Sequence, residues 1–206
     1  MKLYFSPGTC SMAVHIALRE AGANFEAIKV DLATHKTENN SDYYQISPRG
    51  YVPSLEIDDG SLHTEAVALL QYIADRHPAR GLIPPANDTA GRLDVIQWLV
   101  FIGSELHKTF SWLWSTDTAE STVAACKKKL ALRFHELDQH LVGRDFLTGE
   151  RFTIADAYGF TIVNWANFLS IDLKPYPHLS AYLDRIAARP SVHETMVAEG
   201  LIKAAA

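Results

Sequence analysis

The proline-rich stretch HPARGLIPPAND, residues 77–88, divides the chain into two parts with different periodicities. Before it, strand and helix signals alternate. After it, strand signals stop and long helical periodicity takes over. The pattern predicts a small α/β layer over residues 1–78, a linker over 79–88 and an all-helical domain over 89–206.

The first part opens on a short apolar strand, Leu3-Tyr4-Phe5, broken by Pro7-Gly8. Ala13, Val14, Ala17, Leu18 and Ala21 then recur at helical spacing, and Gly22 suits a C-cap. Ile28, Val30 and Leu32 alternate with Lys29 and Asp31 as a second strand. Strand, helix, strand is a βαβ unit, so these two strands are expected to run parallel. The polar stretch ATHKTENNSDYYQISPRG predicts a loop with a helical turn. Val52 to Ile57, the turn Asp58-Asp59-Gly60 and Ser61 to His63 predict a hairpin. Thr64-Glu65 then opens a helix with Val67, Leu70, Ile73 and Ala74 on one face. In the second part Leu130, Phe134, Leu137 and Leu141 fall on one helical stripe. Thr153 and Asp156 form a capping-box signature, with Asp in place of the usual Glu or Gln.

Several function classes lose support at once. A net charge of −5 gives no electrostatic reason to bind nucleic acid or an anionic membrane. No apolar stretch approaches the roughly 20 residues needed to span a bilayer, and MKLYFSPG turns too soon for a signal peptide. Two cysteines make no disulfide framework, so a reduced, cytoplasmic protein is expected. His135 and His140, five apart on a helix, point about 140° away from each other and cannot share a metal. The other histidines show no ligand spacing, and no metal is expected.

The chemistry concentrates in the first part. In SPGTCS, Cys10 stands at the start of the first helix, where unpaired N–H groups and the helix dipole favour thiolate over thiol. Its other reading is a small buried hydrophobe. No second cysteine follows at Cys-x-x-Cys spacing, so a monothiol role is expected rather than a dithiol one. Cys126, in the middle of a helical pattern, is expected to be structural. Val52-Pro53 enters its strand through a proline; a cis peptide there would present the backbone N–H and C=O of Val52 to an extended peptide. The helix opening at Thr64-Glu65-Ala66 offers amides to a carboxylate and Glu65 to an ammonium. An amino-acid end, a peptide middle and a thiol together describe glutathione.

With SPGTCS, GYVPSLEIDDGSLHTEAVALLQYIAD, ELHKTF, RFTIADAY and AEGLIK in order over essentially the whole chain, the sequence resembles the cytosolic glutathione transferases, most closely the bacterial beta class. The resemblance implies a thioredoxin-like N-terminal α/β domain, an all-α C-terminal domain and a homodimer. It also implies conjugation of glutathione to small hydrophobic electrophiles, with glutathione-dependent thiol–disulfide or peroxidase activity through Cys10. Under it, Cys10 faces the glutathione sulfur, and Val52, with Pro53 cis and Tyr51 beside it, pairs with the cysteinyl backbone. Glu65 and the Ala66 amide hold the γ-glutamyl end, and His35 or Lys36 the glycyl carboxylate. His107 and Lys108 line the site from the helical domain, and Glu105 reaches across the dimer interface.

Ala66 and Val100 depart from the class, standing where a serine or glycine and an asparagine are common, so two polar contacts are missing. A thiolate on Cys10 would repel the glutathione thiolate, which favours either a thiol hydrogen bond from Cys10 or a redox role. Tyr4 and Ser11 are the fallback hydroxyl donors, and only one of Tyr4 and Phe5 can face the site. The aromatic stretches TFSWLW and Trp165-Ala166-Asn167-Phe168 are candidates for the electrophile pocket, with Phe110 and Trp165 expected to line it. The competing expectation is a non-catalytic protein that binds glutathione or hydrophobic ligands on the same fold.

Overall fold

The computed structural model describes residues 1–203. Two compact units make it up, one comprising Met1–Ile83 with the segment that starts at Arg189, the other Pro84–Ala188.

In the first unit, β1 (Lys2–Phe5) and β2 (Glu26–Asp31) run parallel on either side of α1 (Ser11–Ala21) in sequence, as a βαβ unit requires. Gly22, at φ 65°, closes α1 in the left-handed conformation that glycine adopts without cost. A two-residue β3 (Lys36–Thr37) lies antiparallel to β2 inside the polar stretch expected as loop. Two residues are too few for alternation to reveal. The helical turn expected there is present at Tyr43–Gln45, with the Asp42 side chain accepting from the Tyr44 N–H. The hairpin strands are β4 (Ser54–Glu56) and β5 (Leu62–Thr64), and α2 (Ala66–Arg76) follows them. Sheet order is β3-β2-β1-β4-β5, with β4 antiparallel to β1. Alternation along β1 sends Tyr4 to a cluster with Ile28, Val30, Tyr43 and Val52, while the Phe5 ring packs 5.4 Å from His15 of α1.

The second unit is helical throughout its regular structure: α3 (Thr89–Phe101), a π-helical segment (Ile102–His107), α4 (Lys108–Ser111), α5 (Glu120–His140), α6 (Ile154–Val163), α7 (Trp165–Phe168) and α8 (Pro177–Ala187). The stripe Leu130, Phe134, Leu137 and Leu141 is buried as expected. Asp138, on the same helix, accepts from the N–H groups of His178 and Leu179 and so satisfies the first turn of α8. No helix among the described residues is long and apolar enough to cross a membrane.

Beyond α8 the chain returns to the first unit through α9 (Pro190–Ala198), and Arg189 pairs with Glu20 of α1 at 2.7 Å. The expected division at 89–206 is therefore corrected at its end, because the segment from Arg189 packs with residues 1–83. A helix's own periodicity shows that it buries a face, not which unit covers that face.

The capping box at α6 forms: Ala155 N–H donates to Thr153 Oγ1, and Thr153 N–H to Asp156 Oδ2 at 2.8 Å. Asp156 also accepts from Leu147 N–H and the Tyr182 hydroxyl, yet burial still raises its carboxyl to about 6. Between the ordinary Asp value near 3.9 and that one, the folded state holds more protons than the unfolded state. Its contribution to stability is therefore largest at low pH, falls as pH rises to about 6, and is constant above. Urea unfolding at pH 4.5 and pH 7 should show wild type losing about 2 kcal/mol relative to Asp156→Asn across that interval. A pH-independent difference between the two proteins would mean that the carboxylate is ionised throughout.

Candidate active site

The loop that delivers Cys10 is tied down by its own side chains. Gly8 takes φ 69°, Thr9 Oγ1 donates to Ser6 O, and Ser6 N–H donates to Ser11 Oγ at 3.1 Å. Ser11, fully buried and 2.8 Å from Thr9 Oγ1, has its hydroxyl committed to this turn. Tyr4 lies in the apolar cluster on the sheet. Ser11, one of the two fallback donors, is thus committed to the loop.

Sequence reasoning gave no role to Glu199, although AEGLIK was among the matching stretches. Its carboxylate accepts from Gly8 N–H at 2.8 Å and lies 2.9 Å from His15 Nδ1, with both side chains almost wholly buried. Arg19 Nε donates to His15 Nε2, which leaves Nδ1–H to donate to Glu199. A carboxylate 191 positions away in sequence therefore holds the backbone of the loop before Cys10.

Cys10 occupies the N-cap position of α1, and its thiol donates to Val52 O at 3.4 Å. Part of the residue's surface is exposed. Even so, burial pushes the thiol up to about 12, outweighing the Cys10 and Ser11 amides that pull it down, and the Glu65 charge adds to the rise. The expectation that the helix start would favour thiolate is overturned. Desolvation is the larger effect here, and the resting group is a thiol that donates.

Val52-Pro53 is cis. The Val52 N–H makes no hydrogen bond among the described residues. Behind it, the Tyr43 hydroxyl sits 2.9 Å from both Tyr51 O and Ser54 Oγ, bracing the segment, while the Tyr51 side chain is exposed. Glu65 precedes α2 at φ 70°, no side chain caps the helix, and Ala66 follows with its amide at the helix start. Arg49 Nη1 pairs with Glu65 Oε1 at 3.3 Å. The His35 ring stacks 4.4 Å from Tyr44, and its buried Nδ1 has no partner among the described residues; Lys36 is exposed on β3. The first unit thus joins Cys10 directly to Val52.

The second unit gathers aromatic groups around His107. This residue ends the π-helical segment, with Nδ1 2.7 Å from the Tyr158 hydroxyl and its ring 5.0 Å edge-on to Trp165. Burial, reinforced by the Lys108 ammonium, lowers its pKa to about 4, so the ring is neutral near pH 7. Phe110 is completely buried, 5.8 Å from Trp165, and supports that ring rather than offering surface of its own. Lys108 is exposed. The Glu105 carboxylate is held by Arg133 at 2.8 Å and Lys129 at 3.2 Å, both within its own unit. Cys126 is buried on α5, as expected. The π-helical segment and the role of Tyr158 were not legible, since one extra residue in a helical turn leaves no signal in apolar spacing. Among the described residues no group of three or more His, Cys, Asp or Glu is arranged to hold a metal.

Two family profiles cover the chain: glutathione S-transferase, N-terminal domain, over residues 7–76, and glutathione S-transferase, C-terminal domain, over residues 96–190. Glutathione S-transferase GstA of Escherichia coli O157:H7 is 42% identical over 201 residues, spanning 98% of this chain and all of that protein. A sphingomonad glutathione S-transferase complexed with glutathione superposes with TM-score 0.93 at 44% identity, covering 98% of this chain and all of the other. The bacterial beta class enzyme of Sphingomonas chungbukensis matches with the same TM-score and coverage at 42% identity. On these grounds the chain belongs to the glutathione S-transferase family, in its bacterial beta class.

Proposed function

We propose that this transferase joins the sulfur of glutathione to small hydrophobic electrophiles, with Cys10 acting as a neutral hydrogen-bond donor. The observation that carries the reading is the first unit's arrangement: a thiol donor at Cys10, an unpaired N–H at Val52, and a helix start flanked by Glu65. These match, in order, a thiol, a peptide backbone and an amino-acid end. In the resting protein the Cys10 proton is given to Val52 O; with ligand present it would pass to the glutathione sulfur as a hydrogen bond and favour the thiolate there. A neutral donor avoids the repulsion between two thiolates. His35, whose Nδ1 lacks a partner, and Lys36 are proposed for the glycyl carboxylate. His107, Lys108 and Trp165 are proposed for the electrophile, with Phe110 behind Trp165. The protein is proposed to act as a cytoplasmic homodimer, with Glu105 near the interface.

The thiol–disulfide or peroxidase activity expected at Cys10 needs a thiolate to attack a disulfide or peroxide bond, and a thiol held at about 12 supplies little. Conjugation is therefore the main reaction proposed.

Conjugation of glutathione to a chloronitrobenzene, followed by its absorbance change, tests the proposal. The Tyr158 hydroxyl lies 2.7 Å from His107 Nδ1, and burial keeps the ring largely neutral above about pH 5. The kcat profile of wild type should accordingly show no histidine ionisation between pH 5.5 and 7.5. His107→Phe should lose about tenfold in kcat, the scale of one neutral hydrogen bond to the reacting pair. An inflection near 6.5 that His107→Phe abolishes would contradict the neutral ring. Absence of turnover in wild type would contradict the proposal itself.

A further inference from the structure

Resting on the glutathione reading, we infer that Arg49 binds the α-carboxylate of the γ-glutamyl end, so that Arg49 and Glu65 form a single receptor for a zwitterion. An amino-acid end carries an ammonium and a carboxylate on the same carbon. A receptor made of Glu65 alone would attract the first and repel the second, because two like charges a few ångströms apart interact unfavourably even near a surface. A cation beside Glu65 removes that conflict.

The structure supplies one. Arg49 Nη1 lies 3.3 Å from Glu65 Oε1, while Glu65 Oε2 makes no hydrogen bond among the described residues. Both side chains are about three-quarters exposed, at 70% and 74%, so the pair contributes little to folding and stays open to a ligand. The guanidinium has five N–H donors, one of them engaged here, and its planar fork matches a carboxylate in a way an ammonium does not. With the ligand ammonium on Oε2 and the ligand carboxylate on Arg49, each charge meets an opposite neighbour and like charges lie on the diagonals.

The role also fills a gap in the sequence. Ala66 has no hydroxyl to give that carboxylate, and the helix start has no side-chain donor of its own. Arg49 comes from the loop before Gly50, whose φ of 66° turns the chain from Arg49 into the Tyr51-Val52 segment. The guanidinium and the Val52 amide are thus three residues apart on one short stretch, one for each end of the same γ-glutamyl-cysteinyl unit.

The experiment compares wild type, Arg49→Ala and Arg49→Lys with two thiols, glutathione and 4-aminobutanoyl-cysteinyl-glycine. The second thiol is glutathione with the γ-glutamyl carboxylate replaced by hydrogen. Conjugation to a chloronitrobenzene gives KM and kcat, and thermal unfolding controls for stability. Arg49→Ala should raise KM for glutathione roughly tenfold, as expected for a charge-assisted hydrogen bond at an exposed site, with kcat and unfolding midpoint unchanged. Arg49→Lys should fall between. With the decarboxylated thiol, wild type and Arg49→Ala should have the same KM. An unchanged KM for glutathione, or an equal rise with both thiols, overturns the role of Arg49 while leaving the glutathione reading in place. Failure of wild type to saturate with glutathione overturns that reading, and this inference with it.

Discussion

Glu199→Ala should lower the unfolding midpoint by about 10 °C. The side chain is buried and takes one hydrogen bond from Gly8 N–H and one from His15. Its removal leaves a buried amide and a buried imidazole without an acceptor, each costing about 1–3 kcal/mol. A total of about 3–5 kcal/mol converts, at roughly 2–4 °C per kcal/mol for a chain of this size, to that shift. Glu199→Gln keeps one acceptor oxygen and should recover part of the loss. Because Gly8 lies two residues before Cys10, the same variants should loosen the loop and speed alkylation of Cys10. A midpoint change below about 3 °C for Glu199→Ala would show that the network is dispensable, or that water replaces the carboxylate.

The same contact marks the boundary of what the sequence makes legible. The βαβ start, the hairpin, the α6 capping box and the α5 stripe were all readable, because each is a local pattern set by periodicity or by a cap. The link from Glu199 to Gly8 is not local. Nothing in residues 190–203 distinguishes a helix that closes the second unit from one that returns to the first. Charge states were illegible for a related reason. A helix N-terminus can be seen in SPGTCS, but the desolvation that outweighs it at Cys10 depends on how the Val52 segment packs over the sulfur. His107 was readable as a candidate through ELHK, whereas its neutrality comes from burial against Trp165 and Tyr158, residues some fifty positions on. Arg49 passed unnoticed because an exposed arginine in a loop carries no periodic signal, and only its distance to Glu65 gives it meaning.

Cys10 should be nearly inert to iodoacetamide at pH 7.5, reacting about three orders of magnitude more slowly than a free thiol. The argument is one of thiolate fraction. A free cysteine near 8.5 is roughly a tenth ionised at that pH, whereas a thiol held at about 12 is ionised to only a few parts in 100,000. The sign follows from the same numbers: the rate should climb tenfold per pH unit and still be climbing at pH 10, with no plateau near 8 or 9. Peptide mapping by mass separates Cys10 from Cys126, the other free thiol. The same inertness predicts that oxidised glutathione forms little adduct at Cys10, while conjugation proceeds. A plateau near pH 8, or rapid formation of a mixed disulfide that Cys10→Ala abolishes, would show instead that the sulfur escapes from Val52 O as a thiolate, and would move the protein toward thiol–disulfide exchange. The two outcomes differ in where the proton lies. If it stays on Cys10, the cysteine serves the thiolate of glutathione as a donor; if it leaves, Cys10 itself becomes the nucleophile.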